Sequence, residues 1–316
     1  MPQPKTSNHE RGVLPERQES TISFVLVDVF AEKPLEGNPV AVVPDAGYLT
    51  EATMHKIARE FNQSETTFLL PPTRSEADWR LRSFTPAGKE AFGAGHNTLG
   101  AWWWLAETGA LRLGDSGACF TQEIGDSLLG VDVTCHSGEL VSIGMSQSPP
   151  QFGRLCRDLI QLADALNLST ADFAIDRLPV QVVSTGAPHL LVPLRNRMAT
   201  EKARPDFPRL ATLLHSLQGE GCYLFTLDTA RSDSIAHARF FNPTLGIAED
   251  AATGTAAGPL ACQLVANGVS PGNSVLQIEQ GYAMNRPSLI RVHVSNQAVQ
   301  ISGRCCVSGA GSLQVE

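Results

Sequence analysis

Three short segments hold the residues that could do chemistry. In QSETTFLL, Glu65 opens a strongly apolar run, where desolvation raises a carboxyl pKa toward neutrality and suits it to remove and return a proton as a general acid/base. An edge residue facing solvent, or half of a cap with Ser64, is the ordinary alternative. In FTPAGKEAFGAGHNTLGAWWW, a turn of small residues (Gly93, Ala94, Gly95) delivers His96 and Asn97 to the predicted start of a helix. Unpaired backbone N–H groups and the helix dipole favour an anion there, and a carboxylate is the natural one. A packed or capping histidine is the competing use. In FFNPTLGIAEDAATGTAAG, Asp250 precedes a second small-residue turn that passes through Gly254 to Thr255 and into another helix. Acidic residues near helix starts and threonine N-caps are also plain structural devices.

Other chemistries find no support in the chain. It has neither G-x-G-x-x-G nor G-x-x-x-x-G-K-[ST] for nucleotides. The formal net charge of −8 and the lack of a basic run argue against nucleic acid. Seven cysteines form no C-x-x-C pair and have no histidine at metal-ligand spacing, so they read as reduced, mostly buried thiols, and no metal or cofactor is expected. No apolar run approaches a membrane span, and residues 1–21 lack a signal-peptide core. A cytoplasmic protein with a disordered leader, 1–21, is the expectation.

The elements that must position these residues follow from periodicity. TISFVLVDVF and VAVV predict strands around the Gly37-Asn38-Pro39 corner, and Met54, Ile57, Ala58 and Phe61 predict an amphipathic helix capped by Thr50. The segments 64–70 and 79–84 read as strands. A helix from His96 ends at Gly109, with Trp102, Trp103 and Trp104 spread about 100° apart around it, so protein must wrap it on several sides. Beyond residue 150 the same order returns. Gly186-Ala187-Pro188 repeats the corner, 207–217 repeats the first helix, and Thr253-Gly254-Thr255 stands against Ala94-Gly95-His96. The second central helix, from about Thr255 to Ala266, is again apolar nearly all round. At 316 residues two domains are expected, 22–145 and 146–316, with the last strand or so packing back on the first. The class is α+β: two barrel-like, mainly antiparallel sheets, each wrapped around one helix, with the two helix starts facing each other across a cleft.

VDVFAEKPLEGNPVAVV, SETTF, FTPAGKEAFGAGHNTLG and FFNPTLGIAEDAATGTAAG, in this order, resemble the phenazine-biosynthesis isomerase (PhzF-like) family, which has the diaminopimelate-epimerase-like fold. The resemblance implies a homodimer with its active site between the domains of each subunit. It places the family's acid/base glutamate on Glu65 and its substrate contacts on His96, Asp250 and Thr255, where the phenazine enzyme has serine. Gly95, Asn97 and Gly254 complete the expected substrate-binding set. The activity implied is a cofactor-independent isomerisation of a small carboxylate-bearing substrate, similar to that of trans-2,3-dihydro-3-hydroxyanthranilate. Racemases of this fold use two cysteines, and the matching positions here are Ala94 and Thr253. A non-catalytic metabolite- or protein-binding member, and a racemase or epimerase without the thiol pair, are the alternatives.

Overall fold

The computed structural model describes residues 20–92, 95–295 and 298–315. Alternation in the first strand, β1 (Ser20–Val29), sends Val25, Val27 and Val29 into the core. This strand starts two residues inside the segment read as leader, and residues 1–19 lie outside the described residues. The chain returns as β2 (Asn38–Val43), antiparallel to β1. The corner between them needs Gly37, whose φ is +64° and whose missing Cβ would collide with the Val29 carbonyl. Helix α1 (Glu51–Phe61) is capped by the Thr50 hydroxyl, which accepts the Thr53 N–H at 3.2 Å. It buries Met54, Ile57 and Ala58. Then come β3 (Thr66–Leu70), β4 (Trp79–Phe84), α2 (His96–Glu107), β5 (Gly117–Ile124), β6 (Ser127–His136) and β7 (Glu139–Gln147).

The remaining elements are β8 (Gln151–Leu155), α3 (Leu159–Leu166), β9 (Gln181–Ser184), β10 (Pro188–Pro193), α4 (Arg197–Lys202), α5 (Phe207–Leu217), β11 (Gly221–Thr226), β12 (Ala236–Asn242), β13 (Ile247–Asp250), α6 (Gly254–Ala266), β14 (Ser274–Gln280), β15 (Ser288–Ser295), β16 (Ala298–Gly303) and β17 (Cys305–Val315). Their pairing repeats the first half. β1–β2 is antiparallel, β2–β3 parallel, β3–β4 antiparallel and β4–β5 parallel, followed by an antiparallel meander to β7. The same senses run through β9–β10, β10–β11, β11–β12 and β12–β14 to the meander ending at β16. The two copies join where β7 meets β16, with Met145 opposite Ile301. Each copy also receives a strand from beyond the other's end: β17 pairs with β1, and β8 with β9.

At the centre of the copies lie α2 and α6. Residues Asn97 to Trp103 of α2 and Ala256 to Leu264 of α6 are buried without a break, as helices apolar on all sides must be. Strands β1, β2, β3, β6, β7 and β17 surround α2. Gly100 lets that helix approach β1 and β2, since a Cβ there would run into Val40 and Val29. Trp102 satisfies its buried indole N–H on Gln122 Oε1 at 2.8 Å, and Gln122 in turn donates to Thr98 Oγ1 at 3.0 Å. Truncating a side chain of this size in such a core costs about 3–5 kcal/mol.

Helices α3 and α4 and strand β8 lie outside the sequence expectation. Helices α3 and α4 are only 8 and 6 residues long, too short to show a clear period. The five residues of β8 are all exposed and carry no apolar alternation. A further difference bears on the site: β3 begins at Thr66, so Ser64 and Glu65 belong to the connection before it. Among the described residues no helix is long and apolar enough to cross a membrane.

Candidate active site

Glu65 is delivered by the short link from α1 to β3. Asn62 ends α1 in a left-handed conformation, φ 49°, and the adjacent Ser64 hydroxyl meets His96 Nε2 at 3.1 Å. The Glu65 carboxyl forms no hydrogen bond or ion pair with the described residues. Burial, with a smaller contribution from the Asp250 carboxylate, pushes its pKa up to about 8. The residue as a whole is half-buried. An unbonded carboxyl in this setting keeps its proton near neutrality and can exchange it with a bound molecule.

Asp250, at the end of β13, is the other carboxyl of the site and is held quite differently. Its Oδ1 accepts from Asn38 Nδ2 at 2.7 Å and its Oδ2 from the Thr253 hydroxyl at 2.7 Å. Burial still raises its pKa to about 6, against the pull of these bonds. Of two neighbouring carboxyls, the one that accepts hydrogen bonds ionises first, and the one without them retains the proton. A buried network fixes Asp250 further. Gln280 Nε2 donates to the Asp250 carbonyl at 2.7 Å, and Gln280 Oε1 accepts from the Tyr223 hydroxyl at 2.9 Å and the Thr253 N–H at 3.2 Å. Burial, and then the Asp250 charge, drive the Tyr223 phenol pKa upward, so it stays a donor.

His96 opens α2. Burial lowers its pKa to about 4, so the imidazole is neutral at physiological pH. Asn97 turns inward: its side-chain oxygen accepts from the Gly95 and Thr98 N–H groups at 2.8 and 2.9 Å, and its amide donates to Ser83 at 3.1 Å. Its side chain thus shapes the start of α2. Gly95 occupies the N-cap of α2 and supplies no capping side chain. Gly254 opens α6, where its carbonyl accepts from Gln147 Nε2 at 3.0 Å and a Cβ would press on Ile301 at 2.6 Å. The N-cap of α6 is Thr253, and its hydroxyl is spent on Asp250 instead of a helix N–H. Thr255, read locally as a cap, therefore sits in the first turn, where its hydroxyl meets His189 Nε2 at 3.2 Å.

The structure thus relates Glu65 to Asp250 electrostatically, joins His96 to the residue before Glu65, and carries Asp250 through Thr253 to the start of α6. Gly93 and Ala94, the latter matched to a thiol position, lie outside the described residues. Sequence reading passed over Asn38, Ser64, His189, Tyr223 and Gln280. Two of these had a visible sign: Asn38 stands in the repeated corner where the second copy has Ala187, and His189 is the polar residue of an otherwise apolar strand.

A family model described as phenazine biosynthesis-like protein matches residues 27–311. The trans-2,3-dihydro-3-hydroxyanthranilate isomerase of Pseudomonas chlororaphis is 35% identical over 298 residues, covering 92% of this chain and 98% of that protein. An uncharacterised isomerase of Clostridium acetobutylicum is 31% identical over 291 residues, covering 89% and 94%. The PhzF-family protein of Bacillus anthracis has a similar structure, with a TM-score of 0.86 at 28% identity over 94% of this chain and 100% of that one. A probable proline racemase of Agrobacterium radiobacter shares the fold at a TM-score of 0.62 and 14% identity, covering 93% of each chain. The architecture is the diaminopimelate-epimerase-like one. With the family model spanning most of its length and named isomerases aligned nearly end to end, the chain belongs to the phenazine biosynthesis-like (PhzF) family and is an isomerase.

Proposed function

We propose that this isomerase moves a proton between carbons of a small, unsaturated, carboxylate-bearing ring, of the kind represented by trans-2,3-dihydro-3-hydroxyanthranilate, and does so without a cofactor. Glu65 is the acid/base. As carboxylate it takes a proton from a ring carbon; the electron pair of that C–H bond delocalises into the conjugated system; the same carboxyl then returns the proton at another carbon. Atoms and charge balance with no other reactant. A pKa of about 8 places the group near working pH, where a general acid/base transfers protons both ways with least loss.

The other residues orient the ring. The starts of α2 and α6, where Gly95 and Gly254 carry no side chain, favour the substrate carboxylate. Neutral His96 and the Thr255 hydroxyl add uncharged polar contacts, and ionised Asp250 receives a cationic or N–H group of the substrate. In this reading the domains 22–145 and 146–316 form the walls of the cleft, and the protein is a homodimer. The carrying observation is that Glu65, raised further toward neutrality than Asp250, is the one of the two site carboxyls without a hydrogen-bond partner among the described residues. The test is Glu65→Gln assayed with trans-2,3-dihydro-3-hydroxyanthranilate in D2O by proton NMR. Turnover and ring-deuterium incorporation should fall by about 10²–10⁴, with the fold intact; undiminished exchange would remove Glu65 from this role.

A further inference from the structure

His189 is the second histidine of the site region, and nothing above gives it work. It lies in β10, is 2% exposed, and packs edge-on to Phe240 with ring centroids 5.0 Å apart. Nε2 meets the Thr255 hydroxyl at 3.2 Å. Nδ1 is buried and has no hydrogen-bond partner among the described residues. It faces Gly221, where a Cβ would lie 3.0 Å from Nδ1 and closer still to the tip of the Phe240 ring. Of the described residues 251–264, Thr255 alone keeps partial exposure.

These facts decide which way the hydrogen bond runs. Burial keeps the imidazole neutral, with its pKa lowered to about 3, so the ring carries one proton. An orphaned buried N–H is the rarer and costlier defect in a protein interior, while an unused acceptor lone pair is more readily tolerated. The proton therefore belongs on Nε2, and Nδ1 is left as the bare lone pair against Gly221. A hydroxyl has one hydrogen to donate and two lone pairs to accept with. Once Nε2–H occupies a lone pair of Thr255, the threonine O–H is free to donate on the side where the residue keeps partial exposure.

We infer that His189 is a positioning residue that fixes the polarity of the Thr255 hydroxyl, so that this wall of the cleft presents a hydrogen-bond donor to an anionic oxygen of the substrate. The opposite tautomer would take the threonine proton and leave only lone pairs facing the cleft, which would repel a carboxylate. Selection for an anionic over a neutral group at this point is thus set by a residue behind the wall. This inference rests on the proposed carboxylate substrate for its purpose, but the hydrogen-bond direction stands or falls on the protein alone.

Two measurements separate these levels. In uniformly 15N-labelled wild-type protein at pH 7, the His189 ring should show a protonated, pyrrole-type Nε2 and a pyridine-type Nδ1; the reverse pattern overturns the inference whatever the substrate. Binding of anthranilate, compared with its uncharged amide, reads the consequence. His189→Leu should weaken anthranilate about tenfold and leave the amide within twofold, and His189→Gln, whose amide can still donate to Thr255, should recover most of the loss. Equal loss for both ligands would reduce His189 to a packing role and refute the positioning claim. Should anthranilate fail to bind the wild-type protein, the substrate class of the proposed function fails, and the tautomer still decides the hydrogen bond.

Discussion

Glu65→Gln removes a titration from the folded state while nearly preserving side-chain size, so its effect on stability can be read with no substrate. The folded carboxyl holds its proton up to about pH 8, whereas an ordinary glutamate loses it near 4.5. Between those values the folded state binds more protons than the unfolded one. Stability therefore falls as pH rises through this window, and the loss is complete above pH 8. At about 1.4 kcal/mol for each pH unit between the two midpoints, the ceiling is roughly 5 kcal/mol. Glu65 is half-buried, and solvent in the cleft screens the charge, which brings the expected loss to about 2–3 kcal/mol. Urea unfolding of both proteins from pH 4 to 9 measures it. The stability difference should be constant below pH 4.5, grow in favour of the glutamine variant, and level off above pH 8; titrations elsewhere cancel. A difference that is flat from pH 5 to 9, or that bends only near 4.5, would mean that the Glu65 carboxyl is solvated, and the acid/base reasoning would lose its foundation.

Three further outcomes are expected. Asp250→Asn removes the smaller of the two causes that raise Glu65, so the Glu65 midpoint should drop below about 8 while staying above that of an ordinary glutamate, followed by 13C NMR of the labelled carboxyl; an unmoved midpoint would mean that the two groups do not interact. Asn38→Ala deletes donors to Asp250 Oδ1 and the Ala252 carbonyl. It should lower stability by about 1–3 kcal/mol and move the Asp250 midpoint above 6, since that bond holds it down. Gly100→Val drives a side chain into Val40 and Val29 and should cost about 1–3 kcal/mol or more in denaturant unfolding, whereas Gly130→Ala, with open space around it, should change stability by no more than about 0.5 kcal/mol.

Much of this molecule is legible in the letters, for a physical reason. Strand and helix periods are local, and here they are written twice. The corner at Gly37 reappears at Gly186, and the helices predicted around Met54–Phe61 and 207–217 are present as α1 and α5. Glu65 and Asp250 could be singled out because a carboxylate beside an apolar run or a small-residue turn is locally conspicuous. Their partners could not. The Asn38 to Asp250 bond spans 212 positions and the Tyr223 to Gln280 bond 57, and side-chain hydrogen bonds over such separations leave no periodic trace. Asn97 shows the converse. Its place beside His96 suggested a ligand contact, but whether a side chain faces outward or folds back on its own helix start depends on backbone angles at Gly95 that residue types do not reveal.

The pairing of β1 with β17 sets Ser20 opposite Val315, which makes β1 dependent on a strand almost 300 positions away. During synthesis β1 can find β2 early, but its other edge stays bare until residues 305–315 have left the ribosome. An open edge of this kind is a template for pairing with the wrong chain, and contacts so distant in sequence form slowly. A protein interrupted before Cys305 would retain Glu65, His96, Asp250 and Thr255, and yet be left with an exposed strand edge in its first half and a tendency to associate through it.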